Sequence, residues 1–473
     1  MAGPGHRHLA RWTAGIVRVG MAALVAAHLG FSPAAAQENA PTSQPGLIRD
    51  TEIEAILKAD AAPIFRAAGL NPDNIHIYIV ADKEMNAFVA GGQNLFINTG
   101  LIVRTRTPNE LIGVMAHETG HMAGGHLART DEGSRAAMAT QIITMGLGMV
   151  AAFAGKDPNA AAALLYSADE FAALQFFTFT RVQEASADQA AARFLETSGQ
   201  SGRGLVDFFN NFLYDEVNSN ARRDKFFQSH PLTADRIQAL KSRVEAAPHY
   251  NTTDSPEALA QHAVMIAKLK GFMDYPVITY QSYPDTDTTY PARYARAIAY
   301  YRDLQTPKAL DAIDALISEN PNNPYLWELK GQILFEFGRT QDAELPQRQA
   351  SGLAPNAPLL RISLGQTLLA NAGKSPDKIK EAIDNLKKGV TLEKENGLGW
   401  HLLAEAYERD NNPGMARLAS AEEKFEEGQM IEARSFAGRA RELLTQGTPE
   451  YRQANDIINA AEVTVDSHRG RSG

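Results

Sequence analysis

Apolar residues recur at three- and four-residue intervals through Ile53, Ile56, Leu57, Ile64 and Phe65, which predicts an amphipathic helix as the first folded element. Two short runs rich in β-branched and aromatic residues follow, 75–80 (IHIYIV) and 95–98 (LFIN), separated by a loop holding Gly91-Gly92. They predict a small antiparallel unit. From about residue 109 to 247 nearly every window carries a helical period. Residues 251–290, broken by Pro276 and Pro284, read as a looser connector and mark the domain boundary.

Beyond the connector the pattern repeats. Pro321 and Pro355, Gly331 and Gly365, and Leu334 and Leu368 are each 34 residues apart, the tetratricopeptide period. Trp327, Gly331, Leu334, Ala343, Ala350 and Pro355 fall at the spacing that motif demands, and Trp400, Leu403, Ala404 and Tyr407 restart it after an insertion near 374–377. Small residues at those places let antiparallel helices close on each other, so the half predicts an α-solenoid, a peptide- or protein-binding surface.

At the start, Arg7, Arg11 and Arg18 come without an acid, an apolar run covers 19–31, and Pro33-Ala34-Ala35-Ala36 precedes Gln37. This is the layout of a secretory signal, with cleavage expected after Ala36; the run is too short to span roughly 30 Å of hydrocarbon as an anchor. A second apolar stretch, 136–154, contains Gln141, Gly146 and Gly148 and is rich in Ala and Thr. It reads as a tightly packed interior helix, with peripheral membrane contact left open. The domain expectation is therefore signal peptide 1–36, leader 37–47, catalytic unit 48–250, connector 251–290, repeat unit 291–465 and tail 466–473.

Composition narrows the chemistry. The 473 residues contain no Cys, which excludes disulfides, thiolate metal sites and a cysteine nucleophile. A net charge of −9, falling to −12 once three Arg leave with the signal, argues against nucleic acid as a partner.

One constellation carries catalysis. Residues 111–126 read LIGVMAHETGHMAGGH, placing His117, Glu118 and His121 as HExxH in a helical run. Histidines four apart project from one face, so both imidazoles reach one Zn²⁺, and Glu118 can take a proton from a zinc-bound water. A third ligand is needed. His126 stands one residue early for the HExxHxxGxxH spacing, so it either supports the site from behind or ends the helix. Glu184 is the other candidate, in TRVQEASADQAAARFL, where Asp188 lies one turn further on the same face. Two like charges so placed repel unless a cation lies between them; a metal on Glu184, with Asp188 holding the ring N–H of a ligand His, supplies one. A solvated face with Arg181 or Arg193 as partner is the alternative.

HExxH followed by Glu184-Ala185-Ser186-Ala187-Asp188 resembles the zinc endopeptidases that include the CAAX prenyl proteases and the HtpX heat-shock protease. Asn86-Ala87-Phe88, Gly91-Gly92 and Asn98-Thr99-Gly100-Leu101 are similar to that family's strand-and-turn segment. His230-Pro231 with Arg236-Ile237 resembles its HPxxxxRI segment. With a signal and C-terminal tetratricopeptide repeats, the chain resembles the periplasmic BepA type. The resemblance implies a mainly α fold, a gluzincin-type zinc peptidase domain with a small β-sheet followed by a tetratricopeptide α-solenoid. It implies one Zn²⁺ on His117, His121 and Glu184, with Glu118 as general base, Asp188 behind a ligand and His230 as a fourth ligand latching the site. From the residues alone His230 before a proline is equally a turn residue. Implied partners are unfolded or misassembled outer-membrane proteins and their assembly machinery. The strand at 95–98, if exposed, could receive substrate as an added strand. A non-proteolytic assembly factor with a latent site is the competing function.

Overall fold

The computed structural model of the chain describes residues 46–125, 181–218, 230 and 232–469; the expected signal and leader up to 45, the apolar run at 136–154 and His126 lie outside them. The catalytic half consists of β1 (Leu47–Ile48), α1 (Thr51–Ala67), β2 (His76–Val80), β3 (Ala87–Ala90), β4 (Asn94–Asn98), α2 (Thr99–Arg104), α3 (Pro108–Ala123), α4 (Arg181–Thr197), α5 (Arg203–Asn218) and α6 (Ala234–Glu245). The expected first helix is α1, begun by Asp50, whose carboxylate accepts from the Glu52 and Ile53 amides. It buries Ile53, Leu57, Ile64 and Phe65. A short strand precedes it.

The sheet order is β1-β2-β4-β3. The expected antiparallel pairing of 75–80 with 95–98 is corrected: β2 and β4 run parallel, Ile77 opposite Leu95 and Ile79 opposite Ile97. The cause is β3, which reverses through Gly91 and Gly92, both at positive φ, and pairs antiparallel with β4. Because β4 is bonded on both sides, it cannot receive an added strand, and that expectation is also corrected. One sheet face, carrying Ile79, Val89, Leu95 and Ile97, joins α1 and α3 in the main core. On the other, Phe96 stacks between Tyr78 and Phe88, each ring 4.9 Å away.

Residues 251–290, expected as a loose connector, instead carry α7 (Pro256–Met273) and α8 (Pro276–Ser282). Ser255 caps α7 and Pro256 opens it. Met265 and Leu269 of α7 join the catalytic core, whereas Val264 and Phe272 pack with Tyr294 and Ile298 of the next helix. One helix thus splices two cores.

The remaining helices form an array: α9 (Tyr290–Arg302), α10 (Thr306–Glu319), α11 (Pro324–Glu336), α12 (Thr340–Leu353), α13 (Pro358–Ala372), α14 (Pro376–Leu392), α15 (Gly397–Arg409), α16 (Pro413–Glu426), α17 (Met430–Leu443) and α18 (Pro449–Arg469). A Cβ on Gly331 would lie 2.6 Å from Gln347, and one on Gly365 2.5 Å from Leu386, so these glycines permit the helix pairs α11–α12 and α13–α14 to close. The side chains of Trp327, Arg361 and Trp400 each donate to the carbonyl six residues upstream, at Pro321, Pro355 and Lys394. The same contact recurs in successive repeats. The insertion suspected near 374–377 is not a loop; α13 and α14 have 15 and 17 residues where α11 and α12 have 13 and 14.

The array is bonded to the start of the catalytic half. Buried Lys268 of α7 lies 2.9 Å from Asp50 and 3.1 Å from Glu52, Tyr294 donates to Glu52 at 3.0 Å, and Thr51 donates to Glu328 of α11 at 2.8 Å. Arg49 also pairs with Glu393 beyond α14. No helix among the described residues is long and apolar enough to cross a membrane.

Candidate metal centre

The motif sits on α3, a helix apolar on nearly every side and buried along most of its length. Thr107 caps it, accepting from the Glu110 amide, and Pro108 occupies its first turn. Gly120 lies inside the motif, between Glu118 and His121. A Cβ there would stand 2.8 Å from the carbonyl oxygen of Ala187 on α4, so only glycine lets the two helices approach this closely. That approach carries Glu184, Ala187 and Asp188 of α4 onto the histidine face of α3.

His117, His121, Glu184 and His230 are fully buried and present their donor atoms within 4.8 Å of one another. His117 Nε2 is 3.2 Å from His121 Nε2 and 3.3 Å from His230 Nδ1. Glu184 Oε1 is 3.2 Å from His121 Nε2 and 3.0 Å from His230 Nδ1, and Oε2 is 3.4 Å from His117 Nε2. Donors at about 2.0–2.1 Å from a tetrahedral zinc stand about 3.3 Å from each other, so these separations fit such an ion. Three imidazoles and one carboxylate are also the donor chemistry of zinc.

The surrounding residues complete the arrangement. Asp188 Oδ1 lies 3.0 Å from His117 Nδ1, on the side of the ring opposite the Nε2 that faces the cluster. Glu118, also fully buried, faces His230 Nε2 at 3.4 Å, and neither of its oxygens has a hydrogen-bond partner among the described residues. Phe209 of α5 meets the His117 ring edge-on at 5.9 Å and forms an apolar wall.

The two acids favour positive charge in the cluster. Burial alone would push the His117 imidazolium down, but Asp188 and Glu184 outweigh it and raise its pKa to about 10. Burial, aided by the charges of His117 and His230, lowers His121 to about 3 despite Glu184, so its lone pair is available at neutral pH. Burial opposes charge on Glu184 and Asp188 too, yet facing imidazoles, and for Asp188 also Arg236, hold both below the usual carboxylate range. Burial lifts Glu118 above that range. The cluster is thus a buried, electron-rich pocket that retains a positive charge at its centre.

Residues 48–244 match the model of peptidase family M48. The match supports a metallopeptidase similar to that family over these residues. The whole-chain comparison extends past that stretch: the chain is 24% identical to the "Beta-barrel assembly-enhancing protease" of Escherichia coli K12 over 377 residues, covering 79% of this chain and 75% of the relative. It is 26% identical to a "Putative beta-barrel assembly-enhancing protease" of Vibrio cholerae, covering 78% and 74%. The E. coli "Metalloprotease LoiP" is 27% identical over 175 residues, covering 37% of this chain and 64% of the relative.

His117, Glu118, His121, Glu184, Asp188 and His230, the described residues that the sequence places at a site, come together within the stretch matched to that family. One participant, Arg236, has no role in the sequence reading beyond its place in the HPxxxxRI segment. Arg236, on the first turn of α6, donates to both oxygens of Asp188 at 2.8 and 2.9 Å and lies 3.0 Å from Glu184 Oε2. Arg236, and neither Arg181 nor Arg193, is the arginine between the two acids, which also flank His117; Arg193 instead lies over the Phe194 ring. The signal was available, because two acids one turn apart in an Ala-rich buried helix demand compensation and Arg236 lies in the segment that begins at His230.

Proposed function

We propose that this protein is a zinc-dependent endopeptidase of the periplasm that acts on outer-membrane proteins during their assembly or quality control. His117, His121 and Glu184 hold the ion, and His230 takes a fourth position while the site rests. The observation that carries the proposal is the set of 3.0–3.4 Å separations among four buried donor atoms. When bound, zinc supplies Lewis acidity, making a water acidic near neutral pH and polarising a peptide carbonyl. The protein's own groups do the rest. Glu118, its carboxylate held dry beside the donor cluster, accepts the proton of the attacking water and returns it to the departing amine. Asp188 keeps the His117 proton on Nδ1 and the lone pair on Nε2. His230 must move away before water and substrate enter, so access is gated.

The periplasmic setting rests on the signal-like start, cleaved after Ala36, and the client class on the printed names of the barrel-assembly-enhancing relatives. In this reading residues 48–250 are the peptidase, 251–290 its splice to the array, and 291–465 tetratricopeptide repeats that dock clients or assembly machinery. Replacing Glu118 with Gln keeps the metal stoichiometry while peptide cleavage falls by about 10²–10⁴-fold; undiminished cleavage contradicts the base assignment. The burial of all four donor residues, with His230 against Glu118, also favours a second reading in which the array acts alone as an assembly factor. Full complementation of a deletion strain by Glu118→Gln would select that reading.

A further inference from the structure

Arg236 enters the metal centre from α6 almost wholly buried, with its guanidinium over the Phe209 ring at 5.9 Å. Its Nε and Nη2 grip Asp188 at both oxygens, and Nη1 lies 3.0 Å from Glu184 Oε2. The two oxygens of Glu184 are therefore not equivalent. Oε1 borders His121 and His230 at 3.2 and 3.0 Å, whereas Oε2 is shared between Arg236 and the more distant His117 Nε2 at 3.4 Å.

A carboxylate free to turn about its last bond can bind a zinc ion through both oxygens. The second oxygen would then fill the place that a water needs when a fourth ligand leaves, since catalytic zinc sites keep an open position. We propose that Arg236 is a positioning residue that makes Glu184 a one-oxygen donor: by holding Oε2 it presents Oε1 alone to the ion and preserves a site for water. The inference rests on the zinc reading above. The planar fork matters, because three N–H groups in fixed directions address two carboxylates one helical turn apart, which an ammonium cannot reproduce.

The test uses metal-free full chain loaded with Co²⁺, whose visible absorption is intense in four-coordinate sites and weak in five- or six-coordinate ones. The wild type gives the intense spectrum. Arg236→Gln and Arg236→Lys both give the weak, higher-coordinate spectrum, and Arg236→Gln holds Zn²⁺ about 10–100-fold more weakly in competition with a chelator. If Arg236→Gln does not fold, Arg236→Lys decides alone, because it retains the buried cation. A wild-type spectrum in Arg236→Lys overturns the proposal, since charge without the fork would then suffice. Failure of the parent reading looks different: the wild type takes up no Co²⁺, or Glu184→Ala leaves the spectrum unchanged, and either result removes this proposal with it.

Discussion

The close approach of α3 and α4 at Gly120 is the local event that assembles the centre, and alanine there tests it. In an exposed helix Gly→Ala stabilises by about 1 kcal/mol, because alanine restricts the unfolded chain and favours helix. At Gly120 the added Cβ would stand 2.8 Å from Ala187 O and 3.0 Å from Ala187 Cα. Recovering an ordinary contact of 3.4 Å requires a shift of about 0.6 Å between the helices. Overpacking of this kind costs about 1–3 kcal/mol, so the net effect on the metal-free protein is a loss of about 0–2 kcal/mol. The shift also exceeds the tolerance of about 0.2 Å for ligand distances, so zinc affinity falls by tenfold or more. Gly438 in α17 is the internal control: a Cβ there meets nothing within 4 Å, and Gly438→Ala gains about 1 kcal/mol with zinc affinity unchanged. Thermal melts of the metal-free proteins and chelator competition read both quantities. A Gly120→Ala protein that melts higher than wild type and binds zinc as tightly would refute the reasoning.

The bond between the two halves makes further predictions. Lys268→Met leaves Asp50 and Glu52 without their buried cation and destabilises the chain by about 3–5 kcal/mol, read by chemical denaturation; a loss below 1 kcal/mol would show the cluster to be hydrated. Burial raises Glu328 to about 7 despite Lys268, so the folded protein binds a proton there that the unfolded chain has already lost. The contribution of this group is full below about pH 4.5 and disappears as pH rises through about 7. Glu328→Gln, which still accepts from Thr51, should therefore flatten the stability profile between those values; a profile parallel to wild type would contradict the assignment.

How much of this was legible depended on the range over which each signal acts. His117, Glu118, His121, Glu184 and Asp188 announce themselves within single helices, because ligand geometry and helical period share one spacing. Arg236 does not, since its partner Asp188 lies 48 residues earlier, Glu184 is earlier still, and nothing in its own helix marks it as buried. The parallel pairing of β2 and β4 was hidden by β3, whose sequence AFVA is short and half alanine, so it reads as loop. In α7 the start signal Ser255-Pro256-Glu257 was present, but the neighbouring prolines suggested a linker; its two-sided packing follows only from having a core on each flank. The array was legible in its 34-residue period, and its irregular step could be resolved only by seeing the extra residues extend two helices.

The most direct test of the whole account is metal analysis with X-ray absorption at the zinc edge on the purified full chain, beside Glu184→Ala. The account predicts one zinc per chain with nitrogen and oxygen donors at about 2.0–2.1 Å, and loss of that zinc in the variant. A wild type that takes up no stoichiometric zinc, or a variant that keeps it with the same affinity, would contradict it.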